Sequence, residues 1–452
     1  MTEDYTGQLL FGAFAATGVL PRDIGMFDKG YGVHTRGGLR FKYTIPQEAG
    51  LDSAYIFSKV DSIVELGIKV GAYPGCQVFA AVNGNVIFYK SYGFHTYDSI
   101  IPVRNTDLYD LASVTKIAAS VPCLMKLYDQ GQITLDTRLG DICWCIKHSD
   151  KADILLRDAL THRAGLTPWI PFWKYTLNRR GELKRKYFRR DSSRRYPFRV
   201  SDSLYSGYRT RRFVFRMIKK SKLLPAGKYR YSDLSFYLYP YIVENLTGKS
   251  FEQCLYENFY HPLGAYSMVF NPYKYFDKNR IVPTEYDSLF RKTLIHATVH
   301  DEGAAMMGGV SGHAGLFANA NDLAKLMQMY LNYGTYGGER YLSDTTVRRW
   351  TSYQFADEGN RRGLGFDKPL LEHPERGTPS PMASPESFGH TGFTGTFTWA
   401  DPETGLLIVF LSNRVYPTRE NKNLIHYNIR THIHDVFYKA IEKRDSTDLS
   451  EQ

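Results

Sequence analysis

Ser113 and Lys116 stand three residues apart in the segment Leu108 to Cys123, LYDLASVTKIAASVPC, at the start of an apolar helical run. Side chains at that spacing share one helical face, so a hydroxyl and an amine can meet. A serine hydroxyl is a weak nucleophile until a base takes its proton. Lysine is such a base only when its pKa falls from about 10.4 toward 7. At about 1.36 kcal/mol per unit, the site must disfavour the ammonium by roughly 5 kcal/mol. Burial and the positive end of a helix both act in that direction. The chemistry expected of the pair is acyl transfer through a covalent acyl-serine.

Alone, S-x-x-K arises often by chance, and three further segments raise its weight. Tyr231-Ser232-Asp233 follows a Pro225-Ala226-Gly227 turn and is expected to open another helix, where the phenol would relay a proton between Ser113 and a leaving group. His390-Thr391-Gly392 precedes the last hairpin as a strand edge facing a cleft. Leu160 to Leu166, LTHRAGL, lies between the first two segments. His162 within it reads as a hydrogen-bonded structural histidine. His313, in Ser311-Gly312-His313-Ala314-Gly315, stays open between a role near the site and a helix-entry turn, since glycines let backbone approach closely.

Two hairpins and two helices must position these residues. Ile56, Val60, Ile63, Val64 and Ile68 recur at helical spacing from Leu51 onward. Gln77 to Val82 and Val86 to Lys90 flank Asn83-Gly84, a pair suited to a turn that needs positive φ twice. Thr396 to Trp399 and Leu406 to Leu411 flank the turn Asp401 to Gly405, and a helical pattern follows through Leu424, Ile429, Ile433, Val436, Phe437 and Ile441. The expected fold is α+β: an antiparallel sheet flanked by N- and C-terminal helices, with a mainly helical lobe inserted and the active site between sheet and lobe. Residues 1–50 are Gly-rich and read as a leader, and residues 51–445 as one catalytic domain.

At 452 residues and 43% apolar content, the chain can bury a sizeable core. It has no run of 18 apolar residues, and acidic Glu3 and Asp4 precede the apolar stretch Leu9 to Leu20 where a signal peptide would carry Lys or Arg. Five cysteines (Cys76, Cys123, Cys143, Cys145, Cys254) are too few for a disulfide framework and read as buried or free thiols. HExxH, P-loop and dinucleotide-binding patterns are missing, so no metal or cofactor is expected. An insertion at 171–222 holds 18 Lys or Arg against 3 Asp or Glu, a net +15 where the whole chain carries +11. It reads either as a solvated excursion or as a flap that meets an acidic polymer or anionic membrane surface, with nucleic acid not expected.

The order S-x-x-K, Y-S-[ND], [KH]-T-G before a sheet hairpin resembles the serine β-lactamase and penicillin-binding family, closest to its class C and esterase-like branch, over about residues 52 to 440. The resemblance implies Ser113 as nucleophile, Lys116 as its base and Tyr231 as proton relay. It implies Asp233 at the substrate-amide position, His390, Thr391 and Gly392 along the strand edge, and backbone N–H groups of Ser113 and Phe393 as the oxyanion hole. The opening GQLLFGAFAATGVLPRDIG and the segment Ile281 to Lys325 are similar to bacterial fusions of such a module with a family 3 glycoside hydrolase. That likeness implies a C-terminal module of a cell-wall-directed protein in the periplasm or cell envelope.

Two positions depart from the commonest form of the family, which has Asn and Lys where this chain has Asp233 and His390. Asn with Lys sums to +1, whereas Asp⁻ with His⁺ sums to zero and Asp⁻ with neutral His to −1, so a substrate carboxylate should be attracted less. An unpaired Asp⁻ near Lys116 would raise the lysine pKa, so Asp233 is expected to pair with His390 or another donor. His390 is expected to make activity titrate between pH 5 and 8. The expected function is cleavage of an amide or ester, of a D-amino-acid peptidase or amidase type with weak β-lactam turnover. A carboxylesterase and a non-catalytic wall-fragment-binding module are the alternatives.

Overall fold

The computed structural model describes residues 2–450. Its centre is a six-stranded sheet of β1 (Lys42–Tyr43), β2 (Gly75–Val82), β3 (Asn85–Gly93), β4 (Phe388–Thr391), β5 (Phe397–Asp401) and β6 (Leu406–Ser412), in the spatial order β1-β3-β2-β6-β5-β4. All pairings are antiparallel except β1 with β3. The β2–β3 turn is made as its sequence requires, with φ of 49° at Asn83 and 76° at Gly84.

Every residue of β2 and β6 is buried, so the sheet is covered on both sides. The strand period of two separates the faces. Val78, Ala80, Ile408 and Phe410 meet α1 (Ser53–Lys69) and the C-terminal helix through Ile56, Val60, Val64, Ile433 and Phe437. Phe79, Ala81, Leu407 and Val409 face the lobe, whose core includes Ile117, Leu124, Leu160 and Leu326. The α+β layering expected from the sequence is what the chain adopts.

Several details differ from the sequence reading. The Gly-rich first fifty residues contain a helix, Thr2–Leu10, and the edge strand β1. The inserted lobe is not only helical, because Tyr109–Asp110, Leu316–Ala318 and Val269–Phe270 form a small sheet beside the nucleophile segment. The basic insertion is folded, with a three-stranded sheet (Phe188–Arg189, Leu204–Ser206, Phe198–Ser201) followed by a helix, Tyr208–Lys220. Cys143 and Cys145 are joined in a disulfide, whereas Cys76, Cys123 and Cys254 are buried thiols. A pairing across one residue is not visible in a framework count. No helix among the described residues is long and apolar enough to cross a membrane.

Candidate active site

Ser113 lies in a 3-10 turn, Ala112–Val114, that leads through a π-helical turn, Lys116–Ser120, into α2 (Val121–Asp129). The residue before the nucleophile is strained: Ala112 has φ of 46°, a left-handed conformation worth about 1 to 3 kcal/mol for a residue with a β-carbon. Asp110 secures it by accepting from Ala112 N–H at 2.8 Å and from His300 N–H at 2.7 Å. The end of β4 is tied to the same segment. Thr394 Oγ1 donates to the Asp110 carbonyl at 2.7 Å and Thr396 Oγ1 to the Leu111 carbonyl at 2.9 Å. A β-carbon on Gly392 would stand 2.0 Å from Thr396 Oγ1 and 2.5 Å from the Leu111 oxygen, so only glycine admits this approach.

Lys116 is fully buried, and its ammonium meets two hydrogen-bond acceptors and one carboxylate as ion-pair partner. Nζ lies 2.9 Å from Ser113 Oγ, 2.7 Å from Asp233 Oδ1 and 3.4 Å from the His313 carbonyl oxygen. Burial pulls the Lys116 pKa down, as the sequence reading expected, but the charge of Asp233 and the neighbouring Tyr231 outweigh it and the pKa is raised. The resting site therefore holds an ammonium rather than a free amine, a correction to that reading. Tyr231 packs its ring 5.0 Å from Lys116 Nζ, with its phenol in hydrogen-bonding reach of Ser113 and Lys116. Burial raises the phenol pKa, and Asp233 adds to the effect against Lys116. Tyr231 sits in an irregular stretch and not at a helix start; the next helix begins at Tyr239.

Asp233 does not pair with His390. The His390 ring donates from Nδ1 to the Thr391 carbonyl at 2.7 Å, leaving Nε2 as a buried lone pair without a protein partner. Burial, then Arg362 and Lys116, hold its pKa well below the usual histidine value. Burial therefore favours the uncharged ring and works against the titration expected of His390 from the sequence. His162 is structural as read: Nδ1 accepts from Ser232 N–H at 3.2 Å, and its ring lies 4.5 Å from that of Tyr231. It too is held neutral, by burial first and by Arg362 second. His313 reaches the site through its carbonyl, while its ring bridges Ser311 and Asp301, both at 2.9 Å.

Three comparisons bear on the fold. A family model described as Beta-lactamase matches residues 60–431. A curated relative from Escherichia coli K12, named "Putative D-alanyl-D-alanine carboxypeptidase", is 32% identical over 397 residues, covering 82% of this chain and 84% of that protein. The chain belongs to the beta-lactamase family. It is a serine hydrolase of that fold. Among solved structures it is similar to EstCE1, a hydrolase with promiscuous acyltransferase activity (TM-score 0.61, 17% identity, 84% of this chain and 99% of that one). It is also similar to a penicillin-binding protein homologue from Caulobacter crescentus (TM-score 0.60, 19% identity, 85% and 97%).

In this member of the beta-lactamase family the fold brings Ser113, Lys116, Tyr231, Asp233 and His390 together, with Thr391, Gly392 and half-exposed Phe393 leading out of the cleft along β4. The sequence reading missed what supports them. His300 donates its Nε2 proton to Glu285 at 2.7 Å and stacks on Phe393 at 5.7 Å. Buried Arg362 lies 5.9 Å from the Tyr231 ring and pairs with Asp367, which bonds to Gly389 in β4. The doublet Arg361-Arg362 before Gly363-Leu364-Gly365 was the available signal. Among the described residues, no group of three or more His, Cys, Asp or Glu side chains could hold a metal ion.

Proposed function

We propose that the chain cleaves a small amide or ester with Ser113 as nucleophile, Lys116 as proton acceptor and Tyr231 as relay to the leaving group. The observation that carries the reading is the chain of contacts Ser113 Oγ, Lys116 Nζ, Asp233 Oδ1 at 2.9 and 2.7 Å. Lys116 becomes a base by passing a proton to Asp233, and its free amine then takes the Ser113 proton. With ordinary pKa values that transfer costs about 9 kcal/mol. This lies below the ~16 kcal/mol barrier of a reaction turning over about ten times per second. A bound substrate lowers the cost further, because excluding water disfavours both charges. Ser113 Oγ then attacks the carbonyl. The amine or alcohol leaves with a proton from Tyr231, which takes in its place the proton Lys116 accepted from Ser113. Asp233 returns its proton to Lys116, and water, losing its proton along the same path back to Ser113, releases the acyl group. The backbone N–H groups of Ser113 and Phe393 are the proposed oxyanion donors, each worth about 10²- to 10³-fold in rate.

The carboxypeptidase-named relative supports a peptide ending in a D-amino acid, and with it a place in the cell envelope. An ester substrate is the second reading. It is favoured by His390, whose burial favours the uncharged ring and so leaves no cation at the motif position that is commonly lysine. Both readings give weak penicillin turnover. The test is labelling of the protein and of Ser113→Ala by a fluorescent fluorophosphonate and a fluorescent penicillin, read by intact mass, beside hydrolysis of an aryl ester and a D-alanyl-D-alanine peptide. Labelling that vanishes in Ser113→Ala is expected. Labelling that survives it removes Ser113 as nucleophile.

A further inference from the structure

The helix Tyr208–Lys220, YRTRRFVFRMIKK, contains no acidic residue. Thr210, Phe213, Val214, Phe215 and Ile218 form its buried face. On the other side Arg209, Arg212, Arg216 and Lys220 are exposed at intervals of three, four and four, one stripe about 16 Å long at 1.5 Å per residue. Like charges at these spacings repel, and arginines in a first turn oppose the helix dipole. The arrangement works against the stability of the helix it decorates. The stripe itself is in no ion pair: among the described residues, the ion pairs made by the insertion are Arg199–Asp202 and Lys278–Asp202. The charge continues beyond the helix, in exposed arginine pairs at 179–180, 189–190 and 194–195. Tyr208 and Tyr175, 58% and 55% exposed, lie among them.

We propose that the helix stripe and the arginine pairs of the insertion are a docking surface for an anionic phospholipid bilayer. The apolar face of the helix is committed to the protein core, so the contact is made by charge at the headgroup level and not by insertion. Exposed tyrosines among arginines are the residues that settle at a membrane interface. Each Lys or Arg near such a surface strengthens partition about fivefold, and salt screens the effect within a Debye length. The proposal is separate from the reaction assigned to Ser113.

The test is co-sedimentation of the full chain with phosphatidylcholine vesicles with and without phosphatidylglycerol, at low and high salt, with soluble polyphosphate as competitor. Hydrolysis of a soluble aryl ester is followed in parallel. Binding is expected only with phosphatidylglycerol, lost in high salt, and weakened on the order of a hundredfold in Arg209→Gln/Arg212→Gln/Arg216→Gln with ester hydrolysis unchanged. A second variant, Arg194→Gln/Arg195→Gln, touches no helix and is expected to weaken binding by a smaller factor. Equal binding to both vesicles, no binding, or binding to polyphosphate but not to vesicles overturns the proposal. The last outcome would assign the surface to a soluble polyanion.

Discussion

The carboxylate of Asp233 lies 2.7 Å from the ammonium of Lys116, and Lys116 in turn lies 2.9 Å from Ser113 Oγ. Asp233 therefore faces the proton chemistry and presents only a small exposed edge, 18% of its side chain, to a ligand. In Asp233→Asn the largest cause raising the Lys116 pKa disappears while burial, which lowers it, remains. The Lys116 pKa should fall, and the rising limb of the kcat/KM profile should move to lower pH. A stationary limb, measured on an aryl ester, would show that Lys116 is not the proton acceptor.

His390 and His162 bear on stability more than on catalysis through their protonation. Both are buried and held well below the usual histidine pKa. A group depressed in the folded state adds stability above its unfolded pKa of about 6.5, and that stability is lost as pH falls toward the folded value. Thermal melts should show stability declining below about pH 6.5, and the decline should be shallower in His390→Gln. The kcat/KM profile of that variant should keep its shape between pH 5 and 8. His390→Lys should restore the commoner motif residue yet destabilise by about 3–5 kcal/mol, because it buries an unpaired charge close to Lys116 and Arg362.

Gly392 tests how closely β4 must approach the nucleophile. Gly392→Ala would place its β-carbon 2.0 Å from Thr396 Oγ1 and 2.5 Å from the Leu111 oxygen, so the strand end must retreat from Ser113. The expected result is a fall in kcat of about 10²-fold, consistent with a shift of about 1 Å in a positioned group, with KM changing less. Thr396→Val, which loses one hydrogen bond without the clash, should cost only about 1 kcal/mol in stability.

Ser113, Lys116, Tyr231 and His390 were legible in the sequence because short motifs carry their chemistry locally. The sheet and its two covering helices were legible because Ile56, Val60 and Val64 repeat at helical spacing and Asn83-Gly84 is nearly unambiguous as a turn. The direction of Asp233 was not. It is set by the Asp233 N–H bonding to the Pro168 carbonyl and by the need of a fully buried ammonium for a counter-charge, and both are tertiary facts. The raised Lys116 pKa follows from the same pairing. Glu285, His300 and Arg362 were hidden for a similar reason: an isolated charged residue in sequence reads as surface, and only packing shows that it is enclosed.

Glu285 supports the outer rim of the site through His300, whose ring carries Phe393 and whose backbone N–H bonds to Asp110. Arg419 adds a forked pair to the same carboxylate, at 2.8 Å from Nε to Oε1 and 2.7 Å from Nη2 to Oε2, and reaches Glu302 as well. Burial alone would raise the Glu285 pKa, but His300 and Arg419 hold it down to about 2. Its stabilising contribution is present above the unfolded value near 4.3 and is lost as pH falls through about 2. Glu285→Gln should flatten the acid-unfolding curve over that window. At neutral pH it should cost about 1.5–3 kcal/mol, the worth of the charge-assisted hydrogen bonds lost from Arg419, which keeps Glu302 as its counter-charge. If Phe393 supplies an oxyanion donor, the same variant should lower kcat on an aryl ester while the Lys116-dependent limb of the pH profile stays in place. Loss of stability with kcat unchanged would make the network architectural and sever it from the reaction.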